Sequence, residues 1–454
     1  MATPASNPLT SGKSAADVHT LNTAILLPTL SVADDQQPPL PNIDHIGPLT
    51  PVGGLPLFLR TVLTLQRAGV TNVVILAGAE EESLKRLLTQ DPRIVGVLRW
   101  MPTREFPLDD PRTWEVLGRD VQGACLVIGA HAVFSRGLID QFRRQVQAAG
   151  AQSVLVPTCQ GQQSRAETAE ILVIPASMLG GAAWRSVPAR RGTPLHLIKA
   201  HAAAEGRLKL LPINLESSQW CHTVRSSESV REAERRLLQS PKEAYDGVID
   251  TYFNRKVANG LTHLFVKAGW SPNAITILSL LVGFLAAGFL AQGTYLAGVV
   301  GALLFQLSAI VDCCDGAVAR LTFRESRFGE QLDLIGDNVV HMAIFGALGW
   351  AGYVNGGGWL FLTLGLLAMI GNGLSLWFVT QMKRRDTQQG WTNPVQAVRS
   401  EFIFKNIVSR DFSIVVLFFA LLNLLNVFLW IAVIGSNVFW MMTAWITRSP
   451  SIRA

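Results

Sequence analysis

The spacing of apolar positions divides the 454-residue chain into two regimes. Through about residue 240, short apolar runs alternate with amphipathic stretches. AILL at 24–27, NVVILAG at 72–78 and CLVIGA at 125–130 have the length of buried strands, and helical spacing appears at 54–68, 80–89 and 227–239. This alternation predicts an α/β domain of Rossmann-like layering over residues 21–240. Residues 1–20, rich in Ala, Ser and Thr, carry no apolar period and read as a disordered tail.

Beyond residue 270 the apolar runs reach membrane length. Spans are predicted near 274–292, 294–319, 333–353, 358–382, 412–428 and 430–447, an all-α bundle of six transmembrane helices. The last two form one continuous apolar stretch, and a break is expected between Asn423 and Phe428. Just before the first span, Val248, Ile249, Tyr252, Phe253, Val257, Leu261, Leu264 and Phe265 recur at helical spacing beside Arg255, Lys256 and Lys267. That pattern predicts an amphipathic helix within 245–270 lying in the membrane interface. SPNAIT at 271–276 then starts the first span, with Ser271 as cap and Pro272 in the first turn.

Six spans put both ends of the chain on one side. The expected outer loops, QGTY at 292–295, YVNGGG at 352–357 and the turn near Asn426, contain no Lys or Arg. The inner segments hold Arg320, Arg324, Arg327, Lys383, Arg384, Arg385, Lys405 and Arg410 among others. This asymmetry follows the positive-inside rule and predicts that both termini are cytoplasmic. No basic-then-apolar leader opens the chain, which predicts the same for the N-terminal part.

Composition adds little beyond this. The mean hydropathy of +0.29 comes mainly from the second half, and the net charge of +6 is accounted for by the inner loops. Nucleic-acid binding would need a basic soluble face with a reading motif, and none appears. The five cysteines have neither disulfide-framework nor zinc spacing; Cys313 and Cys314 read as small packing residues.

The candidate chemistry lies at 312–337, DCCDGAVARLTFRESRFGEQLDLIGD. Four carboxylates, Asp312, Asp315, Asp333 and Asp337, stand at the edge of apolar segments, where ionisable residues are costly and mark functional sites. Intervals of three and four place each pair on one helix face. If the chain turns between Arg320 and Gly329, two helices present two acids each to a shared site. Clustered acids need compensating cations, and oxygen-only ligands suit hard divalent ions such as Mg²⁺ or Mn²⁺. Such ions would neutralise phosphate oxygens, Arg320 is suited to clamp a diphosphate, and Asp337 is a candidate base. Gly316 and Ala319 lack bulk and allow close approach of a nucleotide or a helix.

The eight residues Asp312, Asp315, Gly316, Ala319, Arg320, Gly329, Asp333 and Asp337 fill D-x2-D-G-x2-A-R-x8-G-x3-D-x3-D without departure. At average residue frequencies such a match arises by chance on the order of 10⁻¹⁰ times per start position. The pattern resembles the signature of the CDP-alcohol phosphotransferase family, over roughly residues 245–447, with the membrane domain at 271–450. The resemblance implies a homodimeric integral membrane enzyme that takes a CDP-activated lipid or alcohol donor. It would pass the phosphoryl-linked group to a small alcohol or phosphorylated polyol and release CMP. It also implies that the fourth aspartate, Asp337, acts as base alongside metal ligation, and that Asn273 and Thr276 are candidate donor contacts. Lys405 and Arg410 are candidate phosphate-binding residues; attraction to anionic lipid headgroups accounts for them as well.

PLTPVGGLPLFLRTVLTLQRAGVTNVVILAG at 48–78 resembles sugar nucleotidyltransferases, in particular the cytidylyltransferase half fused to a CDP-alcohol phosphotransferase in archaeal inositol-lipid enzymes. The resemblance implies a Gly-rich loop and a Pro-Lys pair after the first strand, where this chain has PTLSVADDQQPPLPNIDHIG. It implies a metal-binding Asp where Ala130 stands, before His131, and a later acid where Cys221, His222 and Val224 stand. Without these groups little remains to hold a triphosphate with Mg²⁺, so residues 21–240 are expected to have lost catalysis. Two other function classes remain open from sequence. One is an active bifunctional cytidylyltransferase and phosphotransferase of an inositol-phosphate pathway; the other is a non-enzymatic membrane cation-binding or transport protein.

Overall fold

The computed structural model describes residues 21–27, 46–78, 80–108, 110–121, 123–129, 131–150, 152–159, 170–179, 194–213, 219–238, 255–389 and 412–448. The chain divides into two compact units, Met1–Pro241 and Lys242–Ala454.

The first unit begins with β1 (Thr23–Leu27), buried along its whole length. A tight hairpin follows, β2 (Pro51–Val52) and β3 (Leu55–Pro56), turned by Gly53 and Gly54 at φ +57° and +79°. Next come α1 (Leu57–Arg67), β4 (Asn72–Ala77), α2 (Glu81–Thr89), β5 (Val97–Pro102) and α3 (Pro111–Asp120). The Asp110 carboxylate caps α3 by accepting from the Arg112 N–H, with Pro111 in the first turn. Then follow β6 (Ala124–Gly129), β7 (Ala132–Phe134), α4 (Arg136–Ala149), β8 (Val154–Cys159), β9 (Ile171–Pro175), α5 (Pro194–Ala204), β10 (Leu208–Ile213), β11 (Cys221–Thr223) and α6 (Ser227–Leu238).

Seven strands form one sheet in the order β10-β8-β9-β6-β1-β4-β5. The β1–β4, β4–β5, β1–β6 and β8–β10 pairs are parallel, and β9 runs antiparallel to both neighbours. Trp114 and Leu117 of α3 with Leu195 and Ile198 of α5 pack on Ile25, Leu27, Val74 and Val127 of the sheet. These apolar residues, withdrawn from water, supply the main favourable term for this layer. The three expected strands and three expected helices all form. Buried Arg60 of α1 donates to the Val52 and Gly53 carbonyls, and Glu234 of α6 accepts from the Gly53 N–H, tying the hairpin to both helices. Burial pushes the Arg60 guanidinium down to about 10.

The second unit is helical: α7 (Arg255–Lys267), α8 (Pro272–Leu290), α9 (Tyr295–Thr322), α10 (Arg327–Gly352), α11 (Trp359–Gln389), α12 (Phe412–Leu421) and α13 (Leu425–Arg448). Among the described residues five helices are long and apolar enough to cross a membrane, and α12 is a shorter apolar helix. The unit is therefore that of an integral membrane protein. Ser271, Thr294 and Ser326 cap α8, α9 and α10, each accepting from the backbone N–H three residues on.

One expectation needs correction. The fifth span, expected over 412–428, ends at Leu421, and α13 starts at Leu425 rather than near 430. Asn423 adopts φ +57°, which a short polar side chain tolerates, and the Leu424 N–H returns to the Phe419 carbonyl. The helix thus closes at the front edge of the expected break. The interfacial helix begins at Arg255 in the described residues; Val248, Ile249, Tyr252 and Phe253 lie outside them. Ala258 and Phe265 of α7 pack with Ile275 of α8 and with Cys314 and Val318 of α9. Cys313 and Cys314 are buried at 8% and 0% exposure, as packing residues should be.

Candidate active site

Asp312 and Asp315 lie in the last turns of α9, and Asp333 lies in the second turn of α10. The turn joining the helices is residues 323–326, where Phe323 at φ +56° ends α9 and Ser326 starts α10. This reversal brings the three carboxylates together, one oxygen from each lying within 4.8 Å of the others. Asp312 and Asp315 are only 3% and 6% exposed, and Asp333 is half-buried. Asp312 stands roughly 25 Å along α9 from Tyr295, close to the full depth of a bilayer's hydrocarbon. The cluster therefore lies about one hydrocarbon thickness along α9 from its first residue. Asp337, a turn further along α10, is half-buried and does not join the converging group of three.

Three acids pressed together, two of them buried and one half-buried, repel one another unless a cation neutralises them. Oxygen donors at this spacing fit a hard divalent ion, so the residues present suit the metal that the sequence motif implies.

The supporting shell comes from α8. The Thr276 hydroxyl donates to Asp315 Oδ2, and Thr276 is 3% exposed. One turn on, Ser308 Oγ of α9 donates to the Ser279 carbonyl at 2.7 Å, fastening α8 to α9 beneath the site. Asn273, in the first turn of α8, faces Gly329; a Cβ at Gly329 would stand 3.0 Å from Asn273 Oδ1. At Gly316 a Cβ would lie 3.3 Å from Arg320 Nη1, so the exposed guanidinium folds back over a surface left bare. Ala319 is buried at 9% exposure. Lys405 and Arg410 lie outside the described residues. Ser279 and Ser308 escaped the sequence reading because a serine inside an apolar span carries no signal of its partner.

In the first unit a second polar cluster lies at the carboxyl end of β6. The Glu170 carboxylate accepts from the His131 backbone N–H at 2.8 Å and pairs with Arg225 Nη2 at 2.8 Å. His131 Nε2 is 3.0 Å from the Ile46 carbonyl and Nδ1 is 3.5 Å from Glu170 Oε2. Burial alone would raise the Glu170 carboxyl, but His131 and Arg225 hold it below the usual range. The hydrogen bond with Glu170 raises the His131 imidazole. Cys221 and His222 pair with β7 in a two-stranded ribbon, and Val224 is fully buried. Ala130 lies outside the described residues. Sequence reading found His131 but missed Glu170 and Arg225, which reach it from 39 and 94 positions away.

Comparison with known proteins places the membrane unit. Residues 270–445 match the family model described as CDP-alcohol phosphatidyltransferase, so the C-terminal part of the chain carries a domain of that family. The chain is 33% identical over 135 residues to the bifunctional IPC transferase and DIPP synthase of Archaeoglobus fulgidus, covering 30% of this chain and 26% of that protein. It is 34% identical over 95 residues to phosphatidylinositol phosphate synthase of Mycobacteroides abscessus, covering 21% of this chain and 42% of that protein. The chain thus spans about a quarter to a third of the length of the bifunctional relatives it matches.

Among solved structures it aligns with Mycobacterium tuberculosis phosphatidylinositol phosphate synthase with CDP-DAG bound. That alignment has 17% identity and a TM-score of 0.32, over 44% of this chain and 98% of that one. It also aligns with a putative glucose-1-phosphate thymidylyltransferase of Bacillus anthracis, with 13% identity and a TM-score of 0.32, over 48% of this chain and 94% of that one.

Proposed function

We propose that the protein is a membrane phosphotransferase that moves a phosphoryl-linked group from a CDP-activated donor to an alcohol, releasing CMP. The observation that carries this reading is the convergence of Asp312, Asp315 and Asp333 from two helices inside the family match. These three residues would hold Mg²⁺ or Mn²⁺, which when bound supplies positive charge to the diphosphate oxygens. Arg320, exposed beside the cluster, orients the diphosphate by charge-assisted hydrogen bonds. Gly316 leaves the room that the guanidinium needs, and Thr276 fixes the Asp315 carboxylate.

The acceptor hydroxyl attacks the phosphorus that bears the donated group. The bond from that phosphorus to the bridging oxygen breaks, and CMP leaves with the bonding electrons. Asp337, on the face of α10 that carries Asp333, takes the hydroxyl proton. In the relatives' terms the acceptor is a phosphorylated polyol and the donor a CDP-linked lipid. The charge asymmetry of the loops supports a cytoplasmic site with both termini on that side.

Residues 21–240 serve this reaction as a nucleotidyltransferase-like unit without catalysis of its own. The pairing of Glu170 with His131 and Arg225, in place of a site open to metal, supports that reading. The test is CMP release by the purified full-length protein from labelled CDP-diacylglycerol, with a panel of alcohols including inositol phosphate. Turnover that needs divalent metal and stops in EDTA is expected. Turnover unaffected by EDTA would overturn the reading, and pyrophosphate release from CTP would restore catalysis to the first unit.

A further inference from the structure

Helix α10, which carries Asp333 and Asp337, is held on two opposite sides. On one side it lies close against α8: a Cβ at Gly336 would stand 2.6 Å from Leu280 Cδ2, and a Cβ at Gly283 would stand 2.7 Å from Val340 Cγ1. Asn338 comes two positions after Gly336, roughly 200° further round the helix, and so faces the other way. There it meets α11. Asn372 Nδ2 donates to the Asn338 carbonyl and to Asn338 Oδ1, each at 3.3 Å. Asn338 Nδ2 in turn donates to the Leu334 carbonyl one turn back, at 2.8 Å. Both asparagines lie within helices long and apolar enough to cross a membrane.

Two amides in such a setting call for a reason beyond packing. Interhelical hydrogen bonds add little net stability in a bilayer, because separated helices find other partners, and a Leu at 372 would leave no polar group to satisfy. What an amide pair adds is direction. The glycine contacts with α8 set how near α10 comes, but apolar surfaces let a helix roll. The bonds from Asn372 fix that roll, and they act one residue from Asp337. With side chains reaching roughly 5–6 Å from the helix axis, a roll of about 20° moves a carboxylate by about 2 Å. A misplacement of about 1 Å can cost on the order of 10² in rate. Asp333 has its own restraint in the group that converges with Asp312 and Asp315, and Asp337 stands outside that group.

We infer that Asn372 is a positioning residue: through Asn338 it sets the roll of α10 and thereby aims Asp337 at the acceptor hydroxyl. The inference rests on the phosphotransferase reading with Asp337 as its base. It adds a residue of α11, a helix that supplies none of the four aspartates.

The test is single-turnover CMP release from CDP-diacylglycerol by the full-length protein in nanodiscs, with Mg²⁺ and the alcohol that gives turnover. Asn372→Leu removes the amide at nearly the same volume and is expected to slow the chemical step roughly 10- to 10²-fold. Donor binding and the Mg²⁺ needed for half-maximal release are expected to change by less than about threefold. In an Asp337→Asn background the same substitution is expected to add less than about a twofold loss, because the group it aims is already gone. Asn437→Leu is the control. Asn437 Nδ2 of α13 donates to the Leu367 carbonyl of α11 at 3.3 Å, a bond of the same kind that adjoins no aspartate in sequence. Its loss is expected to leave the chemical step unchanged. Asn372→Ala, which cannot overpack, repeats the test should the Leu variant not fold.

An unchanged chemical step, a full loss repeated in the Asp337→Asn background, an equal loss in Asn437→Leu, or a parallel loss of donor binding each overturns the assignment. Asp337→Asn at the wild-type rate overturns the base reading and this inference with it. A wild-type protein that turns over no CDP donor overturns the phosphotransferase reading itself.

Discussion

The Thr276 hydroxyl of α8 donates its hydrogen bond to the Asp315 carboxylate of α9, so a neutral residue on one helix orients a charged one on the next. Three acids within 4.8 Å tend to swing apart without such restraint. The neutral donor fixes one carboxylate rotamer before any cation arrives.

Thr276→Val keeps the shape and removes the donor. Losses of this kind around metal ligands usually cost 10- to 100-fold in metal affinity or activity. The variant is expected to need at least tenfold more Mg²⁺ for half-maximal CMP release, and Thr276→Ser is expected to behave as wild type. A Val variant with an unchanged metal requirement would reduce Thr276 to a packing residue.

Asp312→Asn, Asp315→Asn and Asp333→Asn each keep the volume and remove one charge. Each is expected to abolish CMP release while the helical signal and the melting temperature in detergent hold or rise, since repulsion among the acids is relieved. Retained turnover in any of the three would remove that residue from the metal set.

Close helix contact farther from the site has its own check. A Cβ at Gly349 would lie 2.9 Å from the Phe361 carbonyl oxygen and 3.0 Å from Gly365 Cα, so α10 and α11 meet backbone to backbone. Gly349→Leu has no flexible side chain to displace. It is expected to destabilise the membrane unit by about 1–3 kcal/mol or more, read as a lower unfolding midpoint in detergent. An unchanged midpoint would mean the helices separate freely there.

The Glu170 cluster gives the first unit a pH dependence with two signs. The Glu170 carboxyl lies below its ordinary value, so its stabilisation is present above about pH 4.3 and lost as pH falls through the lowered folded value. The His131 imidazole lies above its ordinary value, so its stabilisation is present below about pH 6.5 and lost as pH rises through the raised folded value. Both operate together between roughly pH 4.5 and 6.5. The urea midpoint of this unit is expected to fall on the alkaline side, and His131→Gln to flatten that fall. An alkaline slope identical in the variant would contradict the assignment.

What the sequence displayed and what it hid follow physical lines. The aspartate site was legible because its residues are local, two pairs at helical spacing on either side of one turn. The cap at Ser271 and strands such as β6 were legible for the same reason. Strands β8 and β10 were missed because Pro157 and Pro212 lie within them, and proline argues against a ladder position. The break at Asn423 was expected only as a window, since its cause is a single left-handed residue rather than a run of polar ones. Contacts that join distant positions, Thr276 to Asp315 or Arg225 to Glu170, have no local period to reveal them.

Asp337 separates two designs of the same site. It follows Asp333 by one helical turn yet stands outside the group of three converging carboxylates. A residue placed so can take a proton from an incoming hydroxyl while the other three hold charge. As the base, Asp337→Asn should slow the chemical step by roughly 10² to 10⁴, the usual span for general base catalysis. Binding of the CDP donor and the metal requirement should change less than threefold. Pre-steady-state CMP release measured beside donor binding distinguishes the cases. Joint loss of donor and metal binding would make Asp337 a fourth ligand, and wild-type turnover would remove it from the mechanism. The expected split, slow chemistry with donor binding intact, follows because the neutral amide keeps the packing of α10 but accepts a proton far less readily than a carboxylate does.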